Sequence, residues 1–299
     1  MSAVWRLARP LVQAGTAAYL LLPILAIVLF SLATRWTSSI LPSGYTLDHW
    51  TAAFGDPRLV AAFARSIGLA LGAAVLDAVL VVPAVYWSRV RNPRIRTVLQ
   101  VSAAIPFALP YLVIAFGILT LYGGNPITAQ LNNTLPELLL AHTAICFPFM
   151  YWAVDAAMSA AGIERLAEAA ETCGASPAQT IRRVIVPNIL PGLVSGGILV
   201  FATSFGEFAV VQVLIGGSFE TVPLWQADAL YSTNPRFDEL AASAVATFGL
   251  LFVLSAIVVA ADRRWAARFR RGGVTAAPPI VETGAAIAES PTQIADSPT

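Results

Sequence analysis

Residues 166–187 read LAEAAETCGASPAQTIRRVIVP, and this charged stretch decides how the rest of the chain is interpreted. Long apolar runs flank it on both sides, yet it is rich in the signals that start and stop helices. Apolar residues recur in it at the spacing of one helix face, at Leu166, Ala169, Ala170 and Cys173. This spacing predicts a short helix with an apolar stripe.

A turn and a second helix are predicted directly after that stripe. Gly174 stands where a helix commonly ends on a residue in the left-handed conformation. Ser176 then offers an N-cap, Pro177 suits the first helical position, and Gln179 completes a capping box. The sequence therefore predicts a helix–turn–helix hairpin over residues 161–188.

The bulk composition places this hairpin in a membrane protein. Of the 299 residues, 57% are hydrophobic and 12% are charged, and the mean hydropathy is +0.72. Soluble domains carry about 25% charged residues. The formal net charge is +1, and no basic tract alternates with aromatic residues, so no nucleic-acid partner is expected.

Six apolar runs are long enough to cross a bilayer, which needs about 20 residues per helix. They lie near residues 11–33, 66–88, 98–121, 138–160, 189–215 and 240–261. The first run exceeds the ~7–15 apolar residues of a secretory signal, so a retained anchor is predicted. We therefore expect an all-α integral membrane protein with six transmembrane helices, located in the cell inner or plasma membrane.

The sequence predicts that the chain has three parts. Residues 1–65 are predicted to hold the first transmembrane helix and an outer loop, and residues 66–265 the transmembrane core with its hairpin. Residues 266–299 are predicted to be a disordered cytoplasmic tail, because a segment rich in proline and poor in large apolar residues cannot repay its ordering entropy.

Arginine asymmetry predicts the orientation of the spans. All 18 basic residues are arginine, and most fall in four segments that alternate spans place on one side. These segments are the N-terminus, the second-to-third connection, the fourth-to-fifth connection and the tail. Both termini and the hairpin are therefore predicted to be cytoplasmic.

The residue inventory also limits the chemistry. A P-loop needs a lysine, and the chain has none, so any ATP must be bound by a partner. Two cysteines, Cys146 and Cys173, have no metal or redox spacing, and His49 and His142 are far apart in sequence. No cofactor, metal or catalytic group is expected on this chain.

The hairpin resembles the EAA loop of binding-protein-dependent ABC importer permeases, a motif that runs EAA-x3-G-x9-I-x-L-P. Glu168, Ala169 and Ala170 match its start, and Gly174 and Pro187 keep its spacing. Valines stand where isoleucine and leucine are usual, which preserves apolar bulk. A connector lying on the bilayer is the alternative, but acidic residues on the first helix would be repelled by anionic lipid.

The resemblance implies a type I ABC importer permease fold. It also implies that Glu168, Ala169, Ala170, Gly174 and Pro187 form the contact with a cytoplasmic ABC ATPase dimer, which holds ATP and Mg²⁺. Further implied partners are a second permease subunit, expected to be a paralogue, and an extracytoplasmic solute-binding protein.

Two carboxylates are predicted inside the membrane, where each costs on the order of 2.5–3.5 kcal/mol. Asp77 lies near the middle of the second predicted span and Glu207 in the outer half of the fifth. Gly196, Thr203 and Glu207 would share one helix face, with Ser204 alongside. This stripe suits either a helix interface or the wall of a translocation pathway.

The local string SFGEF around Glu207 is similar to strings in a permease branch that serves polyamines, ferric iron, thiamine, phosphonates and oxyanions. Two acids without basic partners favour a cationic solute, so polyamine, thiamine, phosphonate or ferric iron is expected. An alternative is an ion-coupled secondary transporter that uses Glu207 and Asp77, which would often show inverted repeats or broken helices. The sequence shows neither. An intramembrane enzyme would need a nucleophile–base pair or metal ligands, which the two histidines do not provide.

Overall fold

The computed structural model describes residues 3–36, 40–124 and 127–271, with backbone alone at residues 3–9 and 261–271. The described residues are helical throughout, with no strand beyond a single bridge between Ala33 and Tyr45. The helices are α1 Ala3–Leu32, α2 Asp48–Gly55, α3 Pro57–Val90, α4 Pro93–Ala108, α5 Tyr111–Gly123, α6 Leu135–Ala160, α7 Ile163–Thr172, α8 Pro177–Thr180, α9 Val186–Phe205, α10 Ala209–Leu214, α11 Val222–Tyr231 and α12 Phe237–Arg271. Short 3-10 turns occupy Ala129–Leu131 and Gly216–Phe219, and a π-helical turn occupies Ile181–Ile185. The prediction of an all-α membrane protein is confirmed.

Five uninterrupted helical stretches are long and apolar enough to cross a membrane, and a bent pair of helices makes a sixth if it is one span. The second span begins nine residues earlier than predicted, at Pro57. Asp56 starts it, because its side chain accepts a hydrogen bond from the backbone N–H of Arg58 and proline fits the first position. Residues 57–65 are therefore helix and not outer loop.

The third predicted span, 98–121, is broken. α4 and α5 meet at an angle of 108° across Leu109 and Pro110. Leu109 is extended, with φ −117° and ψ 135°, because the ring of the following proline excludes the helical conformation. The expectation that no helix is broken was wrong at this point.

The fifth predicted span, 189–215, also differs. Its helix starts earlier, since α8, the π-helical turn and α9 form one stretch from Pro177 to Phe205. It ends at Phe205, and a break over residues 206–208 separates it from the six-residue α10. The sequence predicts that Glu207 shares a helix face with Gly196 and Thr203. This prediction was wrong, because Glu207 follows the end of α9.

The core is formed by α3, α6 and α9. Close packing of α6 on α9 depends on small residues, since Gly192 and Gly196 of α9 face Ala153 and Ala157 of α6. A Cβ built on Gly192 would lie 2.4 Å from the Cβ of Ala157, and one on Gly196 would lie 2.8 Å from that of Ala153. Gly196 thus serves a helix interface, one of the two roles predicted for it.

Among the described residues, those up to Val258 form one compact unit, and those from Val259 belong to a second. In the second unit the structure describes the helical backbone to Arg271, so residues 266–271 are helical and not part of a disordered tail. The rest of the predicted tail, residues 272–299, lies outside the described residues. The cytoplasmic location of both ends stays a prediction from arginine asymmetry.

Candidate functional site

The predicted hairpin is present, and its turn is a Schellman motif. The N–H of Ala175 bonds to the carbonyl of Ala170 at 3.0 Å, and the N–H of Gly174 bonds to the carbonyl of Glu171 at 2.8 Å. Gly174 has φ +77°, the left-handed conformation that the sequence predicted. The turn therefore requires a residue without a branched Cβ.

The start of the second helix is also as predicted. Ser176 accepts a hydrogen bond from the N–H of Gln179 at 3.4 Å, and the Gln179 side chain accepts one from the N–H of Ser176 at 2.9 Å. Both halves of the capping box are present. Pro187 is the second residue of α9 and follows directly on the π-helical turn, where a residue without an N–H interrupts the regular hydrogen-bond pattern of the helix.

The buried face of α7 differs from the predicted stripe. Ile163, Ala167 and Ala170 are buried, whereas Ala169 and Cys173 are exposed. The true face is rotated from the predicted one because α7 packs back on α3 and α6 and on the π-helical turn. Among the predicted ATPase-contact residues, this leaves Glu168, Ala169, Gly174 and Pro187 exposed and turns Ala170 inward.

Arg89 joins the hairpin to the transmembrane core. Its guanidinium donates from Nε to Asp155 Oδ1 at 2.8 Å and from Nη2 to the Asp155 carbonyl at 2.9 Å. From Nη1 it donates to Glu164 Oε1 in α7 at 3.0 Å. The Arg89 side chain is only 6% exposed and that of Asp155 is 17% exposed, so solvent screens this pair weakly, whereas Glu164 is 45% exposed and its pair with Arg89 is screened more. These contacts form a clasp between α3, α6 and α7.

The electrostatics of Glu164 reflect this contact. Burial opposes its ionisation, but hydrogen bonds from its own backbone N–H and from Arg89 hold the pKa of its carboxyl below the ordinary value. Asp155 also lies 3.6 Å from Arg96. A more exposed ion pair, Arg91 with Glu171 at 2.5 Å, adds a second link between α3 and α7.

Sequence reasoning missed Arg89 as a functional residue. It was assigned to the connection after the second span, as one of four arginines that indicate the cytoplasmic side. The available signal was Asp155, an acid near the end of the fourth predicted span, 138–160.

Asp77 is fully buried within α3, and neither carboxylate oxygen has a hydrogen-bond partner among the described residues. The residue lines a cavity between α3 and α6, on the side where α4 and α5 bend.

Glu207 is 7% exposed and bends back onto the start of α10. Its Oε2 accepts from the N–H groups of Val210 at 2.8 Å and Val211 at 3.3 Å. Ser204 is buried, with its Oγ 2.7 Å from His142 Nδ1, so it bonds α9 to α6. Thr203 is half-buried. The structure thus separates the predicted polar stripe into a helix interface and a capping acid.

A further ion-pair network occupies the opposite end of α3. Arg58 contacts Glu220 at 2.5 Å and Asp228 of α11 at 3.1 Å. Asp56 Oδ2 accepts from the indole of Trp225 at 3.0 Å. Burial opposes ionisation of Asp56, but this bond and the one from the Arg58 N–H lower its pKa. The network fixes α11 against the start of α3.

Comparison with known proteins adds a family match. Residues 80–271 match the model of the family described as the binding-protein-dependent transport system inner membrane component. The chain is 28% identical over 247 residues to the 2-aminoethylphosphonate transport system permease protein PhnV of Salmonella typhi, covering 82% of this chain and 89% of that protein. It is also 28% identical over 247 residues to the spermidine/putrescine transport system permease protein PotC of Haemophilus influenzae, covering 81% and 92%.

The fold is similar to that of solved transporters. A chain of a bacterial ABC transporter that imports the acidic polysaccharide alginate superposes with a TM-score of 0.64 and 16% identity, covering 85% of this chain and 95% of that one. A chain of the MetNI methionine ABC transporter gives a TM-score of 0.54 and 17% identity, covering 69% and 95%.

Proposed function

Because this chain belongs to the family of binding-protein-dependent transport system inner membrane components, and is the permease subunit of an ABC importer in the inner membrane, we propose how it couples ATP to transport and which solute it takes. The hairpin over residues 161–188 docks on a cytoplasmic ABC ATPase that binds ATP and Mg²⁺. The observation that carries this proposal is the exposed surface Glu168, Ala169 and Gly174 on a hairpin with both helix ends capped.

The surface of α7 suits a protein groove. Ala169 is small and exposed, so a partner backbone can approach it closely, and Glu168 offers a carboxylate to an arginine or to N–H groups of the partner. Ala170 supports the contact from inside by packing α7 against the core. The expected assembly contains two permease subunits, of which the second is a paralogue, and an extracytoplasmic solute-binding protein on the opposite side.

Substitution of Gly174 tests this docking. Gly174→Val places a β-branched residue at φ +77°, which costs about 1–3 kcal/mol. An added Cβ meets no atom within 4 Å, so the conformation alone is disturbed and the helix pair is reoriented. We expect solute uptake to fall to background and the ATPase to stop co-purifying, while the permease still inserts in the membrane.

The matched control at this position is Gly174→Asn. Asparagine tolerates the left-handed conformation, so it should keep most of the uptake. Normal uptake and normal co-purification of the ATPase with Gly174→Val would rule out docking through this hairpin.

We further propose that the solute carries an ammonium group. Among the polyamine, thiamine, phosphonate and ferric iron solutes expected from the sequence, this selects polyamines and aminophosphonates. The named solutes of two relatives, spermidine/putrescine and 2-aminoethylphosphonate, share that group, whereas sulfate, the named solute of other relatives at 27–29% identity, does not. The acids Asp77 and Glu207 support the choice, because neither has a basic partner among the described residues.

Glu207 is proposed to hold a fixed negative charge beside the pathway, with Thr203 and Ser204 on the adjoining end of α9. Burial opposes its ionisation, and two backbone N–H groups that donate to Oε2 counter this effect by stabilising the ionised form. Glu207→Gln keeps an oxygen that can accept from those groups but removes the charge. We expect the complex to assemble normally and its uptake of an ammonium-bearing solute to fall.

The measurement is uptake per assembled complex, with Glu207→Ala as a comparison that loses the cap as well and should reduce assembly. Equal uptake by the wild type and Glu207→Gln would leave Glu207 with a structural role only.

A further inference from the structure

A cavity of about 850 Å³ lies between α3, α4, α5 and α6. This volume is within the ~300–1,000 Å³ typical of small-molecule sites. The described lining is apolar except for three side chains, Asp77, Ser102 and Thr143. An apolar site with a few polar groups is the usual composition of a pocket that orients an organic ligand.

Asp77 is the one charged side chain among the described residues of this lining. It is fully buried, and both of its oxygens lack a hydrogen-bond partner among the described atoms. A carboxylate in such surroundings is costly unless a cation or hydrogen-bond donors compensate it. Glu207, by contrast, has two backbone N–H groups bound to one oxygen. A positive group in the cavity would supply this compensation, which the described residues do not; without one the carboxyl group is neutral.

The break in the third span forms part of the same cavity. Pro106 and Leu109, at the end of α4, and Val113, at the start of α5, are lining residues. Irregular backbone at membrane depth is tolerated where it lies inside protein or lines a cavity. The 108° bend turns α5 away from the direction of α4 and so makes the space that a single straight helix would fill.

We propose that this cavity binds a small organic cation, with the ammonium group paired with Asp77 and the carbon chain against the apolar walls formed by Leu99 and Ile118. An ammonium has three donors. Both Asp77 oxygens lack a hydrogen-bond partner among the described atoms but have almost no accessible surface, so binding requires the carboxyl group to turn toward the cavity; the Thr143 hydroxyl, which donates to the Leu139 carbonyl at 2.8 Å, keeps lone pairs that can accept. This site deepens the proposed function, since it rests on an ammonium-bearing solute.

The test measures binding of labelled putrescine and labelled 2-aminoethylphosphonate to the wild-type complex of permease and ATPase in lipid nanodiscs, without binding protein. We expect at least one probe to bind and unlabelled 1,4-butanediol, which lacks the charge, not to compete. Asp77→Asn should weaken binding at least tenfold.

A second variant leaves Asp77 in place. Gly117 lines the cavity, and an added Cβ there meets no atom within 4 Å, so Gly117→Phe fills the space without a clash at its own backbone. It should also weaken binding at least tenfold. Gly249→Phe is the matched control, because Gly249 of α12 likewise has open space at its Cβ and does not line the cavity. It should bind as the wild type does.

Three outcomes would overturn the site. They are no binding of either probe to the wild type, unchanged binding in Asp77→Asn and Gly117→Phe, and failure of Asp77→Asn to assemble while the wild type binds no cation. The last outcome would assign Asp77 to a contact within the protein. If both variants bind the probes as the wild type does, and the wild type shows ATP-driven uptake, this site alone is rejected. If the wild-type complex shows no uptake, the proposed function is rejected.

Discussion

Replacing Arg89 by methionine is expected to abolish transport. Methionine keeps much of the side-chain volume but leaves Asp155 and Glu164 without the guanidinium that joins them. Breaking a buried ion pair by removing one partner costs about 3–5 kcal/mol. Because the clasp links α7 to α3 and α6, its loss should allow the hairpin to move without moving the transmembrane helices.

The measurement is ATP hydrolysis in the assembled complex, with and without loaded binding protein, beside solute uptake. We expect Arg89→Met to retain ATP hydrolysis, lose its dependence on binding protein, and transport nothing. The matched control is Arg91→Met, since Arg91 is 41% exposed and its ion pair with Glu171 is worth about 0–1 kcal/mol. Stimulated hydrolysis and normal uptake in Arg89→Met would mean that the clasp transmits nothing.

The second large effect is expected from a single methyl group at Gly192. A Cβ there would lie 2.4 Å from the Cβ of Ala157 and 3.1 Å from the carbonyl oxygen of Ala153, so α9 and α6 must separate. Overpacking of this kind costs about 1–3 kcal/mol. Gly192→Ala should lower the thermal stability of the purified complex and its yield.

Two companion variants make this result specific. Gly197→Ala adds the same methyl group five residues further along α9, where no atom lies within 4 Å, and should be neutral or stabilise the helix by about 0.5–1 kcal/mol. Ala157→Gly removes the facing Cβ, so combining it with Gly192→Ala should restore part of the lost stability. Equal stability of Gly192→Ala and Gly197→Ala would contradict the close approach of α6 and α9.

These two sites suggest how motion at the hairpin reaches the membrane. The ion-pair clasp ties α7 to α3 and α6, and the glycine contacts tie α6 to α9, which also carries the second half of the hairpin. Movement of a docked hairpin would therefore be carried as a unit by the three core helices. An ion-coupled transporter would not need to pass movement from a docked hairpin to the core helices. Membership in the importer family supports the ATP-driven function.

The amino-acid sequence by itself determined the membrane class, most of the spans and the hairpin with its turn and capping box. These features depend on composition and on contacts within a few residues, such as the left-handed Gly174 and the Ser176–Gln179 pair. The spacing of Glu168 to Pro187 was enough to indicate the family because that motif is local.

Only the tertiary structure decided which face of α7 is buried, where two spans break, and what surrounds the membrane acids. Arg89 meets Asp155 and Glu164 across 66 and 75 residues of chain, and no periodicity in sequence encodes such a pairing. The Asp77 cavity likewise needs four helices and a bend at Pro110, which are brought together only by the tertiary structure. Local sequence signals predict where a helix ends. The elements that pack against it determine the direction of the chain after that end.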